Sequence, residues 1–146
     1  MTDVVYEKRH RVKKRLSAYL DAKRECKQIG ERLEALNARM VSVGAQALDG
    51  MPKGGSKGDN KPDLIDAKDR LVARYMAIGA ELMQTQLEIE EAIEELEPLE
   101  RMLIRHRYIE GLAWEEVCVA MCYSWQHTHR LHARALDKLA EKEVKK

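Results

Sequence analysis

Val5, Val12, Tyr19, Cys26, Leu33, Met40 and Ala47 follow one another at seven-residue intervals through the first third of the chain. A second series, Ala22, Ile29, Leu36 and Val43, runs beside it with the same spacing. Together they make the a/d seam of a helix that packs against another helix, a period no β-strand can satisfy. Lys8 and Arg15 stand where the second series would begin. The seam is therefore weak at its start, and the first turns are expected to fray or to face a partner.

A second helical segment is expected from Asp63 to Glu97. Its seam reads Leu64, Leu71, Tyr75, Ile78, Leu82, Ile89, Ala92 and Leu96, in steps dominated by three and four, with Lys68 and Thr85 as polar interruptions. Between the two segments lies DGMPKGGSKGDNKP, residues 49–62, with four Gly and two Pro and no periodic apolar residues. This stretch is expected to be a flexible loop that turns the chain back. The expectation is a long antiparallel helical hairpin, a coiled-coil stalk over residues 1–97.

Composition agrees with an all-α chain. Charged residues make up 35% and aromatics 5%, with no Phe. Such a balance suits narrow apolar seams better than a broad core. Net charge is only +1, so no global basic field announces nucleic acid. The distribution is uneven, however. Residues 1–48 hold eleven Lys/Arg against six Asp/Glu, whereas residues 63–97 hold three against ten. A basic first helix beside an acidic second one turns the acidic face away from any phosphate backbone. Three cysteines without a CxxC pair do not make a secreted disulfide framework. The first residues, MTDVVYEKRHRVKKR, lack the apolar stretch of a signal peptide. No run is long enough to span a membrane. A reduced, cytoplasmic protein is expected, with no membrane partner.

Pro98 opens a third segment, because Pro is tolerated in the first turn of a helix. The helix is expected from Leu99 to Ile109, with Gly111 as its stop. A short helix, Trp114 to Met121, a tight turn at Cys122 and Tyr123, and a last helix from Trp125 to about Lys142 follow, with Ser124 as its cap. The stretch GLAWEEVCVAMCYSWQHTHRLHARALDKL thus has the shape of a helix-turn-helix, and residues 98–146 form the expected DNA-binding domain. Val117, Ala120 and Met121 on one helix, and Leu131, Ala135, Leu136 and Leu139 on the other, should turn inward. Trp125, Gln126, His127, His129 and Arg130 should then face out. A helix of this size fits the major groove, where Gln pairs with adenine and Arg with guanine. Arg134 and Lys138, further along, would hold phosphates and set affinity without reading sequence.

The stretch RHRYIEGLAWEEVCVAMCYSWQHTHRLHARALDKL resembles region four of bacterial sigma factors, which binds the −35 promoter element. It resembles still more closely the small phage-encoded regulators of the ArpU/RinA type, which carry a sigma-like helix-turn-helix. The shared features are a leading helical hairpin, a loop like MPKGG and a recognition helix of the pattern YS-Q-H---RLH--AL. The resemblance implies a phage or prophage transcriptional regulator working in a bacterial host cell. It also implies base reading by Trp125, Gln126, His129 and Arg130, with Arg134 on the phosphate side or near a neighbouring protein. Backbone contacts are expected from Ser124, His127, Arg134, Lys138 and Arg107. Sigma factors usually have Gly where Cys122 stands and a branched apolar residue where Thr128 stands. Their charged base readers are largely replaced here by Trp, Gln and His, so the target sequence does not transfer. Nothing resembles the sigma regions that melt DNA or clasp the polymerase core, which points to an accessory regulator.

Cys118, Cys122, His127, His129 and His132 invite a zinc site, but the CxxC knuckle is missing. The alternative is that Cys118 is an ordinary thiol and the His residues line a DNA face; neither metal nor cofactor is expected. Trp114 is expected as a core or staple residue, whereas Trp125 suits a DNA contact and packing against the stalk equally. Arg105, His106 and Arg107 make a small basic run whose bland reading is a solvated face. The glutamates from Glu88 to Glu97 read as another solvated face. No nucleophile with a base and no phosphate-cradling loop is present, so no enzyme is expected. The stalk could pair two chains as a homodimer or hold RNA polymerase. The rival classes are a small terminase-like DNA-packaging subunit and a polymerase-binding module that does not bind DNA.

Overall fold

Helical periodicity with only three prolines leaves the chain little choice but helix, and the computed structural model describes residues 2–48 and 61–145 accordingly. The helices are α1 (Thr2–Leu48), α2 (Lys61–Ile93), α3 (Pro98–Ile104), α4 (Trp114–Met121) and α5 (Trp125–Val144). A π-helical turn, Arg105–Ile109, continues α3. There is no strand among the described residues, and no helix there is long and apolar enough to cross a membrane. Most of the expected loop lies outside the described residues. Its last two positions, Lys61 and Pro62, are already helical, as suits Pro in a first turn. The second helix ends at Ile93 rather than Glu97, and Leu96 is buried in the turn that leads to α3.

The chain divides into two compact units, and α1 and α2 each contribute to both. One unit is residues 23–81. Here Ile29, Leu36 and Leu64 are buried. Tyr75, expected in the seam, is exposed; its ring edge lies 3.4 Å from where a Cβ on Gly30 would stand. An ion pair joins Arg74 to Glu25 at 2.5 Å.

The other unit combines residues 1–22 with 82–146, so its limits differ from a boundary at 97/98. Its core is built from Val12, Leu16 and Tyr19 of α1, Ile89 and Ile93 of α2, Leu103 and Ile104 of α3, and the inward sides of α4 and α5. The first turns of α1 are exposed apart from the half-buried Arg9, and the contribution of α1 to this core begins at Val12. Leu16, outside the two heptad series, is buried as well because this part of α1 packs against more than one helix. Tyr19 donates its hydroxyl to Gln86 at 3.1 Å. Arg9 donates to both carboxylate oxygens of Asp137, at 2.5 and 2.7 Å, and Arg15 pairs with Glu143. Both pairs join residues 128 apart, so α1 and α5 run in the same direction where they meet.

Candidate nucleic-acid interface

The local order around α5 begins with three chain reversals. The first is the π-helical turn. There the Glu110 N–H donates to Arg105 O and the Leu112 N–H to His106 O, and Gly111 follows at φ 78°. A side chain at Gly111 would be strained by that φ and would also stand 3.2 Å from Leu20 Cδ2. The second reversal opens α4, where the Glu116 carboxylate accepts from the Ala113 N–H at 3.0 Å. The third closes α4. Cys122 is left-handed (φ 57°, ψ 37°), with its N–H on Val119 O and the Tyr123 N–H on Cys118 O. That is a Schellman ending with cysteine at the position glycine usually takes. Ser124 then caps α5, its Oγ accepting from the His127 N–H at 3.2 Å.

Behind α5 the packing is dense. Thr128, Leu131, His132, Ala135, Leu136, Leu139 and Ala140 are buried, and Val117 and Met121 of α4 meet them. Ala120, expected inward, is exposed: α4 presents Val117 and Met121, a step of four, and Ala120 falls off that stripe. His132 is a core residue, not a surface one. Its Nε2 lies 2.7 Å from the Tyr108 hydroxyl. Burial first, then the nearby Lys13, His129, Arg107 and Arg9, bring its pKa down to about 3. Burial likewise pushes the Tyr108 hydroxyl up to about 12. The imidazole is therefore neutral at physiological pH, and we assign the hydroxyl as donor to Nε2.

A row of rings covers the start of α5. The Trp114 ring lies 4.5 Å from His129 and 4.7 Å from His132, with the Arg107 guanidinium 4.8 Å over its face. Trp125 lies 4.4 Å from the His129 ring as well, and Tyr123 meets His127 edge-on at 4.5 Å. These ring contacts take His129 and Arg107 partly out of play. His129 touches both indoles and has its Nε2 buried, and Arg107 also donates to Leu112 O at 2.8 Å. Lys138 is likewise committed inward, 2.9 Å from both oxygens of the buried Glu100 and 3.8 Å from Glu97. Its charge is thereby balanced by the carboxylate that α3 brings beside it.

Gln126, Arg130 and Arg134 remain on the outer side of α5, exposed and without an ion-pair partner among the described residues. Trp125, half exposed, and His127 flank them at the helix start, beside the exposed Ser124. From Cys122 to Leu136 no acidic residue occurs. This side of α5 is therefore a polar and cationic strip held on a rigid apolar backing. Apolar periodicity marks neither the indole–imidazole contacts nor the Glu100–Lys138 pair; only the occurrence of Trp114, Trp125 and His129 around the turn hints at the former. Among the described residues no group of three or more His, Cys, Asp or Glu side chains is placed to hold a metal. Cys122 is exposed and Cys118 half-buried, both as free thiols. The chain matches no family model, no curated protein and no solved structure.

Proposed function

We propose that this chain is a sequence-specific double-stranded DNA-binding transcriptional regulator, sigma-factor-like and of phage or prophage type. In this reading α4 and α5 act as a helix-turn-helix and α5 enters the major groove. The observation that carries it is the two-sidedness of α5. Its inner side is locked by Thr128, Leu131, Ala135 and Leu136, while its outer side offers Gln126, Arg130 and Arg134, with no acidic residue between Cys122 and Leu136. A groove lined with base-edge acceptors and flanked by phosphates favours that combination. Gln126 and Arg130 read bases. Arg134 and His127 hold the backbone. Trp125 presents its free face to the groove wall, and His129 acts by propping Trp125 against Trp114. The remainder of α1 and α2, as a helical hairpin, supplies the additional contact that one small motif needs for stable binding, through a second copy or through polymerase.

Selection of bound duplexes from a random pool, followed by titration of variants, tests this. A reproducible motif is expected. Arg130→Ala and Gln126→Ala should each lose about 1–3 kcal/mol of discrimination at one base position. Arg134→Ala should weaken all duplexes alike and lower the salt slope by about one. Absence of any duplex binding at low salt would end the reading. Equal losses on selected and random DNA for Arg130→Ala would remove base reading by that residue.

A further inference from the structure

The start of α1 carries six Lys/Arg between Lys8 and Arg15, and the structure divides them by task. Arg9 and Arg15 are spent on Asp137 and Glu143 of α5. Lys8, Arg11, Lys13 and Lys14 are exposed and have no acidic partner among the described residues. Two of these, Lys8 and Arg11, line a groove of ≈ 480 Å³ with Arg15 on the α1 side and Ala140, Glu143 and Val144 on the α5 side. Glu143 is already neutralised by Arg15, so the groove keeps two unbalanced positive charges. Its walls are fixed, because Arg9 and Arg15 clip α1 to α5 at two points.

We propose that Lys8 and Arg11 form a phosphate clamp on α1 that holds DNA backbone flanking the stretch read by α5; the inference rests on the DNA-binding reading above. The placement suits that role. Thirteen residues of helix separate Arg130 from Glu143, about 20 Å at 1.5 Å per residue. The major groove is only about 12 Å wide. A contact that far along α5 falls beyond the groove edge, on the sugar–phosphate wall. Arg11 offers a planar fork for two phosphate oxygens, Lys8 a point charge beside it. Val144 and Ala140 give the sugar an apolar floor. A clipped helix also loses less freedom on binding than a free basic arm would.

The test compares the full chain with Lys8→Gln/Arg11→Gln and, separately, Lys14→Gln. Glutamine keeps most of the apolar stem, and thermal melts check that each variant folds. Binding to a selected duplex and to a random one is measured between 50 and 200 mM salt. The double variant should lower the salt slope by about two and weaken binding roughly tenfold or more at 0.1 M salt, on both duplexes alike. Lys14→Gln, on the same helix but outside the groove, should leave the slope unchanged. An unaltered slope in the double variant overturns the clamp while leaving DNA binding intact. A loss per charge as large for Lys14→Gln makes the effect general helix charge and overturns it too. Failure of the unmodified chain to bind any duplex at low salt overturns both the clamp and the reading beneath it.

Discussion

Lys138 Nζ sits 2.9 Å from each carboxylate oxygen of Glu100, a side chain with no exposed surface. The Glu97 N–H at the start of α3 donates to the same carboxylate at 3.3 Å. The pair therefore ties α3 to α5 and satisfies a charge that the interior could not otherwise hold. Lys138→Met leaves Glu100 buried without its cation and should cost about 2–3 kcal/mol in urea denaturation. That is below the usual range of about 3–5 kcal/mol for a broken buried pair, because the lysine is partly solvated. Adding Glu100→Leu should restore most of the loss. A Lys138→Met variant as stable as the parent would show that the two groups do not depend on each other.

Cys122 pays a steric cost at φ 57° that glycine does not. Cys122→Gly should raise stability by about 0.5–1 kcal/mol, the relief of the left-handed backbone less the added freedom of the unfolded chain. Cys122→Val, β-branched at the same angle, should lower it. A thermal melt of the three proteins orders them; the order Val above Cys would contradict the strain.

Thr128 Oγ1 is buried with no hydrogen-bond partner among the described residues. Valine has the same shape without the unsatisfied group, so Thr128→Val should stabilise by about 1 kcal/mol. Because Thr128 faces the core, DNA preference should not change. A destabilised variant would mean that the hydroxyl is bonded in solution.

His132 makes stability depend on pH in one direction. Its folded pKa, about 3, lies below the ordinary 6.5. Above pH 6.5 both states are neutral and no penalty arises. As pH falls below 6.5 the unfolded chain takes a proton that the folded chain refuses, and this cost grows until about pH 3. The slope is about 1.4 kcal/mol per pH unit at most for one proton. The groups that face the ring, Tyr108, Lys13, Arg107, Arg9 and His129, include no carboxylate to reverse the sign. His132→Gln, which keeps an acceptor for Tyr108, should flatten the stability difference between pH 7.5 and pH 5. Parallel pH profiles for the parent and the variant would remove His132 as the cause.

How far the sequence anticipates the structure varies with the kind of signal. Apolar spacing, Pro98, Gly111 and Ser124 are local, and they place α3, α4 and α5 to within a residue or two. The outward side of α5 follows from the same spacing, so Gln126, Arg130 and Arg134 are found where periodicity puts them. Partner choice is not local. Nothing within a helical turn of Lys138 announces Glu100, 38 residues away, and a lysine on an amphipathic helix reads as solvated until α3 is in place. His132 and His129 look like surface residues by type, yet Tyr108 and the indoles of Trp114 and Trp125 take them in. The polar Lys8 and Arg15 mask the start of α1 as a weak seam. Its apolar residues Val12, Leu16 and Tyr19 serve a core made with α5, and a pairing with α2 alone does not reveal that.

That core joins residues more than a hundred positions apart in the sequence. Val12, Leu16 and Tyr19 must wait for Leu131, Leu136 and Leu139 before their apolar surface is covered. During synthesis, with N-terminal segments emerging first, these residues of α1 stay uncovered until α5 has been made. Contacts this distant in sequence also slow refolding, since the ends must find each other before any gain is realised. A stretch beginning at Pro98, cut from the rest, would lack one wall of its own interior.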